Sequence, residues 1–283
     1  MRVAIASGKG GTGKTTLAVN LALRAAENAS VLLMDLDVEE PNSGVFIKGE
    51  LLDQQRMFRM VPHWDKDTCS QCGKCPSLCN YKAILKLGER ILVLPELCHS
   101  CYACSELCPT GSLPMQQEPL GELRSYKLGD LSFVESKLKI GVEMASPLIS
   151  QSLEHADKNY SACAYQFLDC PPGTSCSVIS ATKTADFVIL ITEPTPFGLY
   201  DLSLAVDTMR HLGKPFAVVV NRYGIGNDDV FAYCQKEHIP VWASIPNQRR
   251  IAELYSRGEV LNDVVPEVRD AMDKILAALK DVS

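Results

Sequence analysis

Residues 8 to 16 read Gly-Lys-Gly-Gly-Thr-Gly-Lys-Thr-Thr, directly after the apolar run Arg2 to Ala6 and at the opening of a helix-patterned segment, Lys14 to Ala26. Glycines at such a strand-to-helix turn let backbone amides face inward as a cradle for an anion, and the helix N-terminus adds its partial positive charge. A second apolar run, Val31 to Asp35, completes a βαβ unit, which commits this part of the chain to a parallel sheet. Apolar runs at Tyr165 to Leu168, Phe187 to Ile191, Phe216 to Val220 and Val241 to Ile245 fit further strands buried on both faces. From Pro266 onward, Val268, Met272, Ile275, Leu279 and Val282 recur at spacings of three and four, a stripe for docking on the sheet. The expected fold class is α/β, a doubly wound and mostly parallel sheet.

The full G-x-x-x-x-G-K-T pattern assigns chemistry to that turn. Gly8, Gly10, Gly11, Thr12, Gly13 and Thr16 form the cradle, Lys14 is placed for the β and γ phosphates of a nucleotide, and Thr15 offers a hydroxyl to Mg²⁺. Asp35 and Asp37 fall at the carboxyl end of the second strand, and Asp169 ends another in Phe-Leu-Asp-Cys-Pro-Pro-Gly-Thr. Open α/β sheets bind ligands at that edge. Phosphoryl transfer asks for positioning and charge neutralisation more than covalent chemistry, so acids and lysines around Mg²⁺ suffice. No Asn-Lys-x-Asp guanine motif is present.

Between about Phe58 and Met115 the periodicity gives way to cysteine, proline and glycine. Of the 12 cysteines, eight lie between Cys69 and Cys108 in two copies of C-x-x-C-x-x-C-x-x-x-C. Loops of this spacing wrap three thiolates round one iron-sulfur cubane while the fourth reaches the other. Cluster one is then expected on Cys69, Cys72, Cys75 and Cys108, and cluster two on Cys79, Cys98, Cys101 and Cys104. Zinc is the rival metal, but four-cysteine zinc sites favour paired C-x-x-C knuckles. Cys163, Cys170, Cys176 and Cys234 show no pairing logic. The expected organisation is a module at 58–115 inserted into a discontinuous host domain of residues 1–57 and 116–283, with the stretch from Gln116 to Lys139 returning the chain to the sheet.

With Lys9 ahead of Lys14, the loop resembles the deviant Walker A motif of the MinD/ParA/Mrp ATPases. That resemblance implies that Lys9 reaches the partner's ATP across a nucleotide-sandwich dimer. It also implies that Asp37 polarises the attacking water and joins the Mg²⁺ network, that Asp169 holds Mg²⁺ through water, and that Gly173 senses the γ phosphate. Asn221, Arg222 and the loop at Pro246 resemble the family's adenine-recognition segments. The cysteine repeat resembles a bacterial-type ferredoxin with two 4Fe-4S clusters, departing from the common pattern where Asn80 replaces proline after Cys79. Together these imply a MinD-superfamily P-loop ATPase carrying a ferredoxin insert. Such a chain is expected to dimerise with ATP, with itself or with a paralogous ATPase, and to meet a redox or metallocofactor protein partner. Electron transfer is the preferred role; assembly or carriage of iron-sulfur or metallocofactors is the alternative.

Composition narrows the partners. With 28 basic and 34 acidic residues the formal charge is −6, which argues against nucleic acid. No apolar stretch approaches the roughly 20 residues a membrane span needs. The amphipathic C-terminal segment is not basic, which disfavours membrane targeting. The expected location is the cytoplasm.

Overall fold

The computed structural model describes residues 1–282; residue 283, the last of the expected host domain, lies outside them. In chain order the elements are β1 (Arg2–Ala6), α1 (Lys14–Ala26), β2 (Val31–Asp35), β3 (Glu50–Pro62), α2 (Lys74–Leu78), β4 (Ile84–Leu87), β5 (Arg90–Val93) and α3 (Ala103–Glu106). There follow β6 (Met115–Leu128), β7 (Leu131–Leu138), α4 (Ala145–Asn159), β8 (Tyr165–Asp169), α5 (Cys176–Thr182), β9 (Phe187–Thr192) and α6 (Pro196–His211). The chain then forms β10 (Phe216–Tyr223), α7 (Asp229–Lys236), β11 (Val241–Pro246), α8 (Arg249–Ser256) and α9 (Pro266–Asp281).

Nine strands form one sheet in the order β11-β10-β9-β1-β8-β2-β7-β6-β3. The seven from β11 to β7 are parallel, and β6 and β3 continue the sheet antiparallel. Every residue of β2 and β9 is buried, as expected of strands covered by helices on both faces. One core layer places Leu32, Met34, Val188 and Leu190 against α4, α5 and α6; the other places Val3, Ile5, Leu33 and Ile189 against α1 and α9. The α9 stripe is buried at Val268, Met272, Ile275 and Leu279, but its expected last member, Val282, lies past the helix end and is 49% exposed.

The antiparallel edge positions the cysteines. β6 pairs with β7 only from Gly121 to Leu128, whereas its ladder with β3 continues outward to Pro62 opposite Met115. Beyond Gly121 the two strands therefore form a stem that leaves the sheet. A bulge marks the departure: Met57 faces Gly121 and Phe58 faces Pro119, leaving Leu120 as the extra residue. Gly121 is required there, because a Cβ would lie 2.3 Å from the Lys137 carbonyl oxygen. The 57/58 boundary falls at this bulge inside β3, and 115/116 falls inside β6. At the tip the cysteine repeats run through the short helices α2 and α3, which hold Cys75 and Cys104, and the loops flanking them, with the hairpin β4-β5 between the two repeats.

Candidate functional site: a nucleotide cleft and two cysteine cavities

Gly10, Gly11, Gly13, Lys14, Thr15, Thr16, Asp37, Asn221, Arg222 and Pro246 line one cleft of about 410 Å³. Two close approaches fix the glycine pattern. A Cβ on Gly8 would meet the Asp201 carbonyl at 2.2 Å, and one on Gly13 the Asn221 amide nitrogen at 2.3 Å, with φ already at +100°. Asn221 Nδ2 donates to the Thr12 carbonyl at 2.7 Å, and its Oδ1 accepts from the Arg222 amide at 2.9 Å. Both ends of this carboxamide thus brace backbone, and a contact to a base would have to share one of them.

Beneath the loop lie three acids and a lysine. Asp35 accepts from the amides of Asp37, Asn42 and Ser43 at 3.1, 2.9 and 2.9 Å, and Ser43 Oγ donates to Asp169 Oδ2 at 3.2 Å. Burial raises the carboxyls of Asp35 and Asp169 above the ordinary aspartate range, and for Asp169 the charge of Asp35 adds to it. Burial likewise raises Asp37, against the pull of Lys14, and lowers the Lys14 ammonium, against the pull of Asp169 and Asp37. Excess negative charge in a dry site calls for a cation. Asp169 Oδ1 is buried without a hydrogen-bond partner, and so is Thr12 Oγ1. These orphaned oxygens beside Lys14 and Thr15 fit a Mg²⁺ nucleotide.

The cysteines gather around two cavities. One is lined by Cys69, Cys72, Cys75 and Cys108, with Cys104 in its wall; the other is lined by Cys79, Cys98, Cys101 and Cys104. The fourth cysteine of each repeat thus faces the other repeat's cavity. Both repeats use the same backbone device: Gln71 and Ser100 have φ of 59° and 53°, and Gly73 and Tyr102 have φ of 72° and 63°. Left-handed residues between the cysteines curl each loop, and for the non-glycine ones that conformation is strained. Burial pushes the Cys104 thiol up to about 11 and raises those of Cys75 and Cys98, so metal binding there must displace protons. Among the described residues no three His, Cys, Asp or Glu side chains are gathered closely enough for a lone metal ion. A cubane instead spreads its four thiolates over four iron atoms, which fits thiols distributed round a cavity wall.

Residues 3–261 match the CobQ/CobB/MinD/ParA nucleotide-binding domain. The chain belongs to this family. It is 31% identical over 262 residues to an uncharacterised protein of Methanocaldococcus jannaschii, covering 92% of this chain and 90% of that one. It is 22% identical over 310 residues to the iron-sulfur cluster carrier protein of Pyrococcus horikoshii, covering 99% of this chain and 87% of the relative. The fold is similar to that of the cell division ATPase MinD of Pyrococcus furiosus, with a TM-score of 0.62 at 19% identity over 100% of this chain and 99% of that one.

Within this MinD/ParA-type domain, Gly8, Lys9, Thr12, Asp169 and Gly173 stand outside the cleft lining. Lys9 Nζ lies 3.5 Å from Glu193 Oε2, whose other oxygen accepts from Arg222 Nη1 at 2.6 Å. The Glu193 side chain is only 8% exposed, whereas Lys9 and Arg222 reach it from the wet side, at 32% and 50% exposure, where water screens the pairs. Gly173, at φ +91°, donates its amide to the Ser7 carbonyl at 3.0 Å, tying the loop after Asp169 to the end of β1. Sequence reasoning missed Glu193 and Ser43. The first had a signal, an acid one residue past the carboxyl end of β9; the second, a serine in a loop, had none.

Proposed function

We propose that this chain is an ATP-hydrolysing iron-sulfur protein in which nucleotide-dependent pairing of two copies, or of one copy with a paralogous ATPase, is coupled to electron transfer through two 4Fe-4S clusters. The observation that carries the reading is the gathering of eight cysteines around two cavities that share Cys104 in their walls, with the fourth cysteine of each repeat at the other repeat's cavity, at the tip of a stem formed by β3 and β6. The residues then take these parts. Lys14 neutralises the β and γ phosphates, Thr15 and Asp169 hold Mg²⁺ with Asp37 close by, and Asp37 orients the attacking water. Asn221 keeps the loop in shape, Arg222 and Pro246 border the adenine, and Lys9 exchanges Glu193 for the partner's phosphates. Bound clusters supply one-electron chemistry. Residues 58–115 act as a ferredoxin module that the stem joins to the ATPase domain of residues 1–57 and 116–283.

Ser43 links the two halves of this scheme. It bonds both Asp35 and Asp169, and only a few residues separate it from β3. A change in charge at the acids is felt by Ser43 and passed to the start of β3 at the sheet edge, whose outer half forms the stem.

Carriage of clusters to an apo-protein is the second reading, favoured by the carrier name of the Pyrococcus horikoshii relative. Anaerobic purification with iron and sulfide analysis, followed by titration with Mg-ATP, separates the two. Retained clusters with a shifted potential support electron transfer; ATP-dependent loss of clusters to an apo-acceptor supports carriage. Zinc without iron and sulfide overturns both.

A further inference from the structure

Arg59 lies on β3, three residues before the outer end of the stem ladder, and is only 7% exposed. Its Nε is buried without a hydrogen-bond partner, and Nη1 reaches only the Cys98 carbonyl, at 3.5 Å. No ion pair among the described residues includes it. A guanidinium does not lose its proton in a protein, and a buried charge without a counter-charge is strongly unfavourable. The position therefore calls for an anion. Its neighbour Met60 accepts from Ser100 Oγ at 2.7 Å, so the Cys98–Cys101 loop is fastened to β3 at two consecutive residues.

The two cavities are not equivalent with respect to this cation. Pro62 and Met115, the last ladder pair, line the cavity of Cys79, Cys98, Cys101 and Cys104, while Trp64 and Leu113, further along the chain, line the other. The cation in the wall of that outer cavity, Lys74, is exposed and screened by water. A cluster held by four thiolates carries net negative charge, and its potential follows net charge, hydrogen bonding and burial.

We propose that Arg59 makes the site of Cys79, Cys98, Cys101 and Cys104 the higher-potential member of the pair, the place where an added electron comes to rest, next to the stem. The inference rests on the two-cluster reading above. The step is a one-electron reduction: the electron comes from a low-potential one-electron donor, no bond breaks, and no proton is taken up because the compensating charge is already fixed on Arg59.

The test is a spectroscopically monitored redox titration of the whole chain, purified anaerobically, as wild type, Arg59→Met and Arg59→Lys. Dithionite is the reductant, and a Cys101→Ser variant assigns the signals. In the wild type, the signal altered by Cys101→Ser is reduced first. Arg59→Met shifts the ratio of electrons away from that site by about tenfold, which is ~59 mV for a one-electron couple; Arg59→Lys restores most of it. If the wild type lacks eight iron atoms and matching sulfide, the two-cluster reading fails and the inference with it. If the iron is complete and the two potentials keep their separation in Arg59→Met, the inference alone is overturned. Equal loss of iron in both variants makes Arg59 a packing residue and also overturns it.

Discussion

The nucleotide cleft and the cysteine tip are built on opposite plans. The cleft and the acids beneath it bring together Lys14 at the start of α1, Asp37 two residues past β2, Asp169 at the end of β8 and Asn221 near the end of β10, all set on one large buried sheet. The tip takes its cysteines from two short neighbouring repeats, over a core of little more than Ile84, Ile91, Leu113, Val61 and Ala83. A site built on a large core is organised before its ligand arrives. A site with so small a core depends on its ligand for cohesion.

The largest expected effect follows from that contrast. Anaerobic stripping of iron should raise amide exchange across residues 64–113 by a thousandfold or more (order of magnitude from metal-coupled folding), while β1, β2, β8 and β9 keep their protection. A tip that stays protected without iron breaks the comparison. Next, Lys14→Ala should lower kcat/KM for ATP hydrolysis by roughly 10³ with iron content unchanged, since it leaves buried acids and phosphates without their cation. Loss of iron in that variant would mean that the regions are not independent.

Stability against pH sharpens the cleft side. Asp35 and Asp169 are raised above the ordinary aspartate value of 3.8, so the native state holds protons that the unfolded chain has released. Their contribution is complete at low pH and is lost as pH rises through the folded values. The nucleotide-free protein should therefore lose stability between about pH 4 and about pH 8, and saturating Mg-nucleotide should flatten the dependence. Urea melts at the two ends of that range check the sign. The smallest effect is expected for Asn221→Ala, which frees the Thr12 carbonyl and should weaken nucleotide binding by about fivefold, near 1 kcal/mol, measured by calorimetry.

The parallel strands were legible because burial on both faces forces uninterrupted apolar runs, as at Val31 to Met34 and Phe187 to Ile191. β3 was not. It is an outer strand whose first half, Glu50 to Arg56, is exposed and carries no apolar alternation. β6 and β7 were expected only as a return to the sheet: β6 is antiparallel and partly wet, and β7, though parallel to β2 and mostly buried, interrupts its apolar residues with Ser132, Glu135, Ser136 and Lys137. The loop lysine and acids were legible as residues, but their partners were not: Glu193, Ser43 and Arg59 acquire meaning only from contacts across the fold.

The bulge at Met57 and Leu120 has a geometric consequence. The stem beyond it runs about 17 Å to the ladder end, five residues at about 3.4 Å each. A swing of roughly 10° at its foot would carry the ladder end about 3 Å. Under the proposed coupling the arm would be a lever with its fulcrum at the sheet margin, trading small displacements there for ångström-scale travel at the sulfurs.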